Sequence, residues 1–226
     1  MPRLRYSIAT DIAAGCLLLT LFLHGSATAA VLEAVVTTVD GAPLADAAIV
    51  AEQLNGEKGA PKAALPATAT VDQIDKQFVP FVTVIKTGTA VEFPNHDQIR
   101  HQVYSFSPAK KFELPLYAGI PALPMTFDQA GVVTLGCNIH DWMVGYIYVT
   151  DSPWFAKTDA NGSAKLTALP SGHYHVHIWY PGLDTSPEVH DVELSGEQRT
   201  QTEWRLTAKP PSPPRRAPLP GPADYR

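Results

Sequence analysis

The sequence predicts an all-β protein of short strands stacked as sandwiches, and three observations carry that reading. Pro at 21 and Gly at 15 of 226 residues are scattered through the chain outside its C-terminus, which leaves little room for long helices. The apolar segments are short and rich in Val, Ile, Tyr and Phe. They recur between turn residues at the regular spacing of β-sandwich strands. Charge excludes one class of partner. With 17 Lys and Arg against 22 Asp and Glu, a formal net charge of -5, there is no basic excess to neutralise phosphates, so no nucleic acid is expected.

The first segment, 1–29, reads as an export signal. Arg3 and Arg5 give a positive start, Ile12 to Leu23 is mostly apolar, and Ala27-Thr28-Ala29 offers a small-x-small cleavage site. The apolar run is too short for a membrane span and no second long run follows. A periplasmic mature protein that does not span the membrane is therefore expected. Cys16 leaves with the signal, because a lipid anchor on it would want a bulky aliphatic residue where Ala13 stands. Cys137 is then the one thiol of a chain bound for an oxidising compartment, where a lone thiol is oxidised or pairs between chains. Metal ligation would protect it.

Strands are expected next at 31–39 and 47–54. The stretch 55–70, small and polar with two prolines, reads as a linker or excursion. Five strands follow, at 79–85, 89–93, 101–106, 131–137 and 144–150, and four more at 163–167, 173–180, 188–194 and 200–206. The remainder, 208–226, holds seven prolines in 19 positions. Such a segment favours extended polyproline conformations, cannot build a core, and is expected to be a disordered tail.

The chemistry is concentrated in GCNIHDWMVGYIYV. Cys137, His140 and Met143 are spaced C-x2-H-x2-M on one tight loop between two strands. Thiolate and thioether select copper and imidazole suits it, and two histidines, one cysteine and a long axial methionine make the blue-copper electron-transfer site. Structural zinc sites use Cys, His and carboxylate rather than Met. The second histidine must come from a neighbouring strand, and VEFPNHDQIRHQVYSF offers His96 and His101.

These residues resemble the cupredoxins over about 75–150: FVPFVTVIKTGTAVEFPN in the first strands, HQV at the first ligand, FDQAGVVTLGCNIHDWM in the ligand loop. The loop spacing is similar to that of amicyanin, and the wider resemblance is to plastocyanin-like, methylamine-utilisation-type proteins. The resemblance implies a Greek-key sandwich in 70–150 that binds one type 1 copper ion through His101, Cys137, His140 and Met143. It also implies that Asn95 holds the cysteine loop by hydrogen bonds. The chain departs from the family pattern at Gln102 and at Asp141-Trp142. A second resemblance brackets the first. FAKTDANGSAKLTALPSGHYHVHIWYPGL and VLEAVVTTVDGAPLADAAIVAEQL are similar to the carboxypeptidase regulatory-like, transthyretin-like sandwich, which implies a smaller sandwich split into 30–55 and 154–207 with the copper unit inserted in it.

One cluster stays open. His173, His175 and His177 alternate with Tyr174, Val176 and Ile178, so three imidazoles share one strand face, with His190 on a neighbouring strand. They either share a second metal or form an ordinary polar outer side. No G-x-S-x-G, H-E-x-x-H or Gly-rich phosphate loop is present, and no carboxylates pair as in a glycosidase, so no enzyme is expected. The expected function is one-electron transfer between periplasmic redox proteins, such as a dehydrogenase or a cytochrome, with His140 as the electron door. The alternative is copper binding or delivery without electron transfer.

Overall fold

In the first strand, β1 (Ala30–Thr38), every second side chain from Ala30 to Thr38 is buried while Val31, Glu33, Val35 and Thr37 are half-covered. That alternation is what AVLEAVVTT must give when one sheet face meets a core. The computed structural model describes residues 29–54, 68–121, 123–183 and 189–208. The expected export signal, most of the stretch 55–70 and the Pro-rich tail thus lie outside the described residues. After β1 comes β2 (Ala48–Gln53), and the chain then enters a second unit. That unit holds β3 (Thr68–Thr70), β4 (Asp72–Ile74), β5 (Gln77–Val79), β6 (Val82–Lys86), β7 (Thr89–Glu92), β8 (His101–Ser107), β9 (Lys110–Tyr117), β10 (Met125–Phe127), β11 (Gly131–Cys137) and β12 (His140–Thr150). The chain returns through β13 (Trp154–Lys157), β14 (Ser163–Leu169), β15 (Gly172–Trp179), β16 (Val189–Leu194) and β17 (Arg199–Leu206). Among the described residues every regular element is a strand, and among them no helix is long and apolar enough to cross a membrane.

Two cores result. The ends of the chain build sheets β14-β1-β17 and β13-β2-β15-β16, which close over Leu32, Ile49, Tyr174, Ile178 and Trp204. β1 lies between β14, antiparallel, and β17, parallel from Val31↔Arg199 to Thr38↔Leu206. The middle of the chain builds sheets β6-β12-β11-β8-β9 and β10-β7-β3, with the hairpin β4-β5 beside them. Their core includes Phe78, Phe93, Val103, Phe127, Leu135, Ile147, Cys137 and Met143.

The motif T-D-A-N-G shows how side chains replace backbone pairing at a turn. Thr158 Oγ1 accepts the Ala47 N–H at 2.9 Å and donates to the Leu44 carbonyl at 2.7 Å, and Asp159 Oδ1 accepts the N–H groups of Asn161 and Ser163. Gly162 is required here: its φ is +74°, and a Cβ would lie 2.2 Å from the Val36 carbonyl oxygen.

Strands at 110–117, 154–157 and 68–79 were not legible from apolar runs. β9 (KKFELPLY) is a sheet edge, so charges and Pro115 are tolerated. Residues 68–70 belong to β3, paired in parallel with β7, which corrects the linker boundary at 70. The two sandwiches meet on an aromatic seam. Tyr146 and Tyr148 of β12 lie 5.8 and 5.3 Å, centroid to centroid, from Trp179, and Lys157 Nζ donates to the Val82 carbonyl at 2.9 Å.

Gly145, opposite Leu135, has no room for a side chain, because a Cβ would lie 2.7 Å from Phe78 Cβ. Phe78 is itself 2% exposed and cannot withdraw. Gly145→Ala should therefore cost about 1–3 kcal/mol by overpacking, read as a lower urea midpoint at unchanged m-value.

Candidate metal centre

The loop that carries Cys137 and His140 owes its shape to an irregularity between β11 and β12. Gly136 pairs with Val144, yet Cys137 pairs with His140. β12 therefore spends Asp141, Trp142 and Met143 as extra residues before the regular ladder resumes. A regular strand would turn residues three apart to opposite faces. The extra residues leave both His140 and Met143 buried, with Asp141 exposed between them.

His101 opens β8 and is fully buried; Cys137 is 3% and His140 8% exposed. The two imidazoles both present Nδ1 to the sulfur, each at 3.8 Å from Cys137 Sγ. Their rings lie 4.9 Å apart. Among the described residues this is the one group of three such side chains whose ligand atoms lie within 4.8 Å of one another. Met143 is buried on β12 in the same core. His96 is elsewhere: its side chain is 64% exposed and pairs with Asp72 at 2.7 Å.

The electrostatics suit ligation. Burial pushes the Cys137 thiol up, but His101 and the backbone N–H groups of Gln102 and Ile139 outweigh it, leaving the thiol below its ordinary range. Burial pulls His101 down, yet Cys137 and Asp97 hold it above the usual histidine value. Desolvation, and then His101 itself, keep His140 below that value, as a neutral donor. A thiolate with two imidazole lone pairs in a water-poor pocket is a donor set for a soft or borderline metal ion, and the buried thioether of Met143 favours copper.

Asp97 is the support that the sequence reading missed. Its Oδ2 lies 2.7 Å from His101 Nε2, so the carboxylate takes the N–H and leaves Nδ1 as the lone pair facing Cys137. The same carboxylate accepts the N–H groups of Asp75 and Lys76 at 2.7 and 2.8 Å. Those residues turn the β4–β5 hairpin at φ 53° and 59°, so the hairpin is tied to His101. The signal was available: a carboxylate four residues before the candidate ligand His101, in NHDQIRH.

Asn95 differs from expectation. It does not hold the cysteine loop; its Nδ2 donates to the Ile99 and Tyr117 carbonyls, and its Oδ1 accepts the Asp97 N–H. The cause is its bridge to Gly119, which puts it against the end of β9. Behind it, Gln73 is fully buried and donates to the Pro94 carbonyl at 3.1 Å. Tyr117 Oη donates to the Phe93 carbonyl at 2.6 Å, and burial pushes its phenol up to about 12.

The alternating histidines are spread out. His177 Nε2 meets Tyr148 Oη at 3.3 Å on the seam, and His175 Nδ1 meets Asp191 Oδ1 at 2.6 Å. His190 does not join them: it pairs with Val176, which faces the core, and stacks on Trp204 at 3.5 Å.

No family model and no curated protein matches the chain. Solved structures do match part of it. A copper-containing nitrite reductase from Thermus scotoductus SA-01 is 29% identical over 43% of this chain and 25% of its own, with a TM-score of 0.35. The chain thus spans about a quarter of that enzyme's length. A purple cupredoxin from Nitrosopumilus maritimus is 22% identical over 37% of this chain and 98% of its own, TM-score 0.32. A reduced amicyanin mutant is 21% identical over 44% of this chain and 98% of its own, TM-score 0.33.

Proposed function

We propose that this chain is an exported type 1 copper protein of the cupredoxin kind that passes single electrons between redox proteins. The observation that carries the reading is the buried Cys137 sulfur with the Nδ1 atoms of His101 and His140 both at 3.8 Å. Bound copper would supply a one-electron couple through His101, Cys137 and His140, with Met143 as the weak fourth ligand. The chain does the rest. Asp97 fixes the tautomer and angle of His101. Burial keeps water from the thiolate, and β8, β11 and β12 hold the donors in one place, so little has to rearrange when an electron moves.

His140 is the less deeply buried of the two histidines, 8% against 0% exposed for His101. Beside it stand the Trp142 ring at 5.0 Å, the exposed Asp141 and Ile139, which is 46% exposed. A partner would meet a small apolar contact with an acidic neighbour, which favours a basic docking surface. Retention rather than delivery is favoured by the Asp97 clamp, because a carrier that hands over its ion needs a first ligand that swings free. Domain 30–55 plus 154–207 serves in this reading as a regulatory-like mount without catalytic groups. Export with removal of 1–29 is tested by the mass of the mature chain.

The deciding experiment loads the protein with Cu(II) and follows colour and potential. An intense visible band and a reversible one-electron wave are expected; a colourless Cu(II) protein would overturn the proposal. Met143→Gln should keep copper and colour but lower the reduction potential, since a thioether favours Cu(I) and an amide oxygen does not. Voltammetry of the two proteins side by side checks this.

A further inference from the structure

The outer face of β15 concentrates metal-binding groups that the buried site does not use. Strand alternation puts His173, His175 and His177 on one side, with Tyr174, Val176 and Ile178 in the core. The register then adds carboxylates. His175 lies opposite Glu52 on β2 and opposite Asp191 on β16, while His173 lies opposite Glu193. Directly opposed residues of antiparallel strands share a face with Cβ atoms about 4.5–5.5 Å apart. His175 is therefore the centre of a cross, with acids to either side and imidazoles above and below. His177 is engaged by Tyr148 on the seam between the sandwiches. The others face solvent, where His173, Asp191 and Glu193 line an open depression.

Asp191 gives the cluster a direction. Its Oδ1 lies 2.6 Å from His175 Nδ1, so the carboxylate takes that N–H and leaves Nε2 as the lone pair. A carboxylate behind one ring nitrogen and a free lone pair at the other is how metal-ligating histidines are prepared. Asp97 treats His101 in the same way at the buried site, with the two ring nitrogens exchanged.

We propose that this face holds a second metal site, for one divalent borderline cation such as Zn(II) or Cu(II), with His173 and His175 as imidazole ligands. Glu52 and Glu193 complete the shell, and Asp191 positions His175. Imidazole with carboxylate suits those ions, and there is no sulfur to select Cu(I). Asp191 holds His175 in place, and His173, Glu52 and Glu193 are exposed, so their side chains have room to turn toward its Nε2. The proposal does not depend on copper at the buried site.

The test uses tag-free mature protein carrying Cys137→Ser and His140→Ala, so that the buried site drops out, and titrates Zn(II) by calorimetry. One zinc per chain is expected. His175→Ala should weaken uptake at least tenfold and Asp191→Asn by about 10–100-fold, whereas the remote Asp128→Asn should leave it unchanged. In the wild-type chain, the same zinc should protect His173 and His175 from carbethoxylation. No zinc uptake, uptake that survives His173→Ala with His175→Ala, or equal carbethoxylation with and without zinc would overturn the proposal.

Discussion

Cys137→Ser should abolish the visible colour of the Cu(II)-loaded protein completely while part of the copper remains bound. The colour of such a site arises from charge transfer between a thiolate and Cu(II), and no other residue of the set can supply it. His101 and His140 stay in place, because Asp97 and the β12 ladder hold them independently of the sulfur. The serine hydroxyl would still lie near the N–H groups of Gln102 and Ile139, so the apo fold should survive. Absorption and metal content measured on the same sample decide the matter. A variant that keeps an intense band would remove Cys137 from the site.

Asp97→Asn should weaken copper binding by about 10–100-fold, the usual cost of losing the carboxylate behind a ligand histidine. It should also raise the reduction potential, since a negative charge near the site favours Cu(II) over Cu(I). An amide oxygen can keep at most two of the three bonds that the carboxylate accepts, from His101, Asp75 and Lys76, and the NH2 group then faces the remaining donor. The β4–β5 turn would loosen along with His101. Asp72→Asn, next to the exposed His96, is the control, and binding there should be unchanged. Equal affinities for Asp97→Asn and wild type would show that the clamp does not reach the ion.

The all-β class and the grouping of Cys137 with His140 were legible because they depend on local signals. Short Val and Ile runs between turns can do little but pair, and C-x2-H-x2-M fixes three positions on one loop. Residues whose role depends on distant neighbours were not legible. Asp97 carries a local hint in its place four residues before His101, but its tie to the β4–β5 hairpin shows only in the fold, because that hairpin has only three residues to a strand. β9 carries no apolar run because a sheet edge does not need one. The role of Asn95 was misjudged because its partner, Gly119, comes from a loop without pattern. The cross on β15 needed both registers: alternation gives the histidines, but Glu52 and Asp191 join them only when β2 and β16 are in place.

The parallel pairing of β1 with β17 has a consequence for the order of folding. Val31 waits for Arg199, so the sheet around β1 cannot form until nearly the whole described chain has been made. The strands between Thr68 and Thr150 need no such delay, since their partners lie within that segment. Closing a long loop is slow more than it is costly. The middle unit should therefore condense first and bring Cys137 under cover early. The outer sandwich then closes around an already folded insert, so its two halves are brought together by the insert's own termini rather than by a search of the full chain.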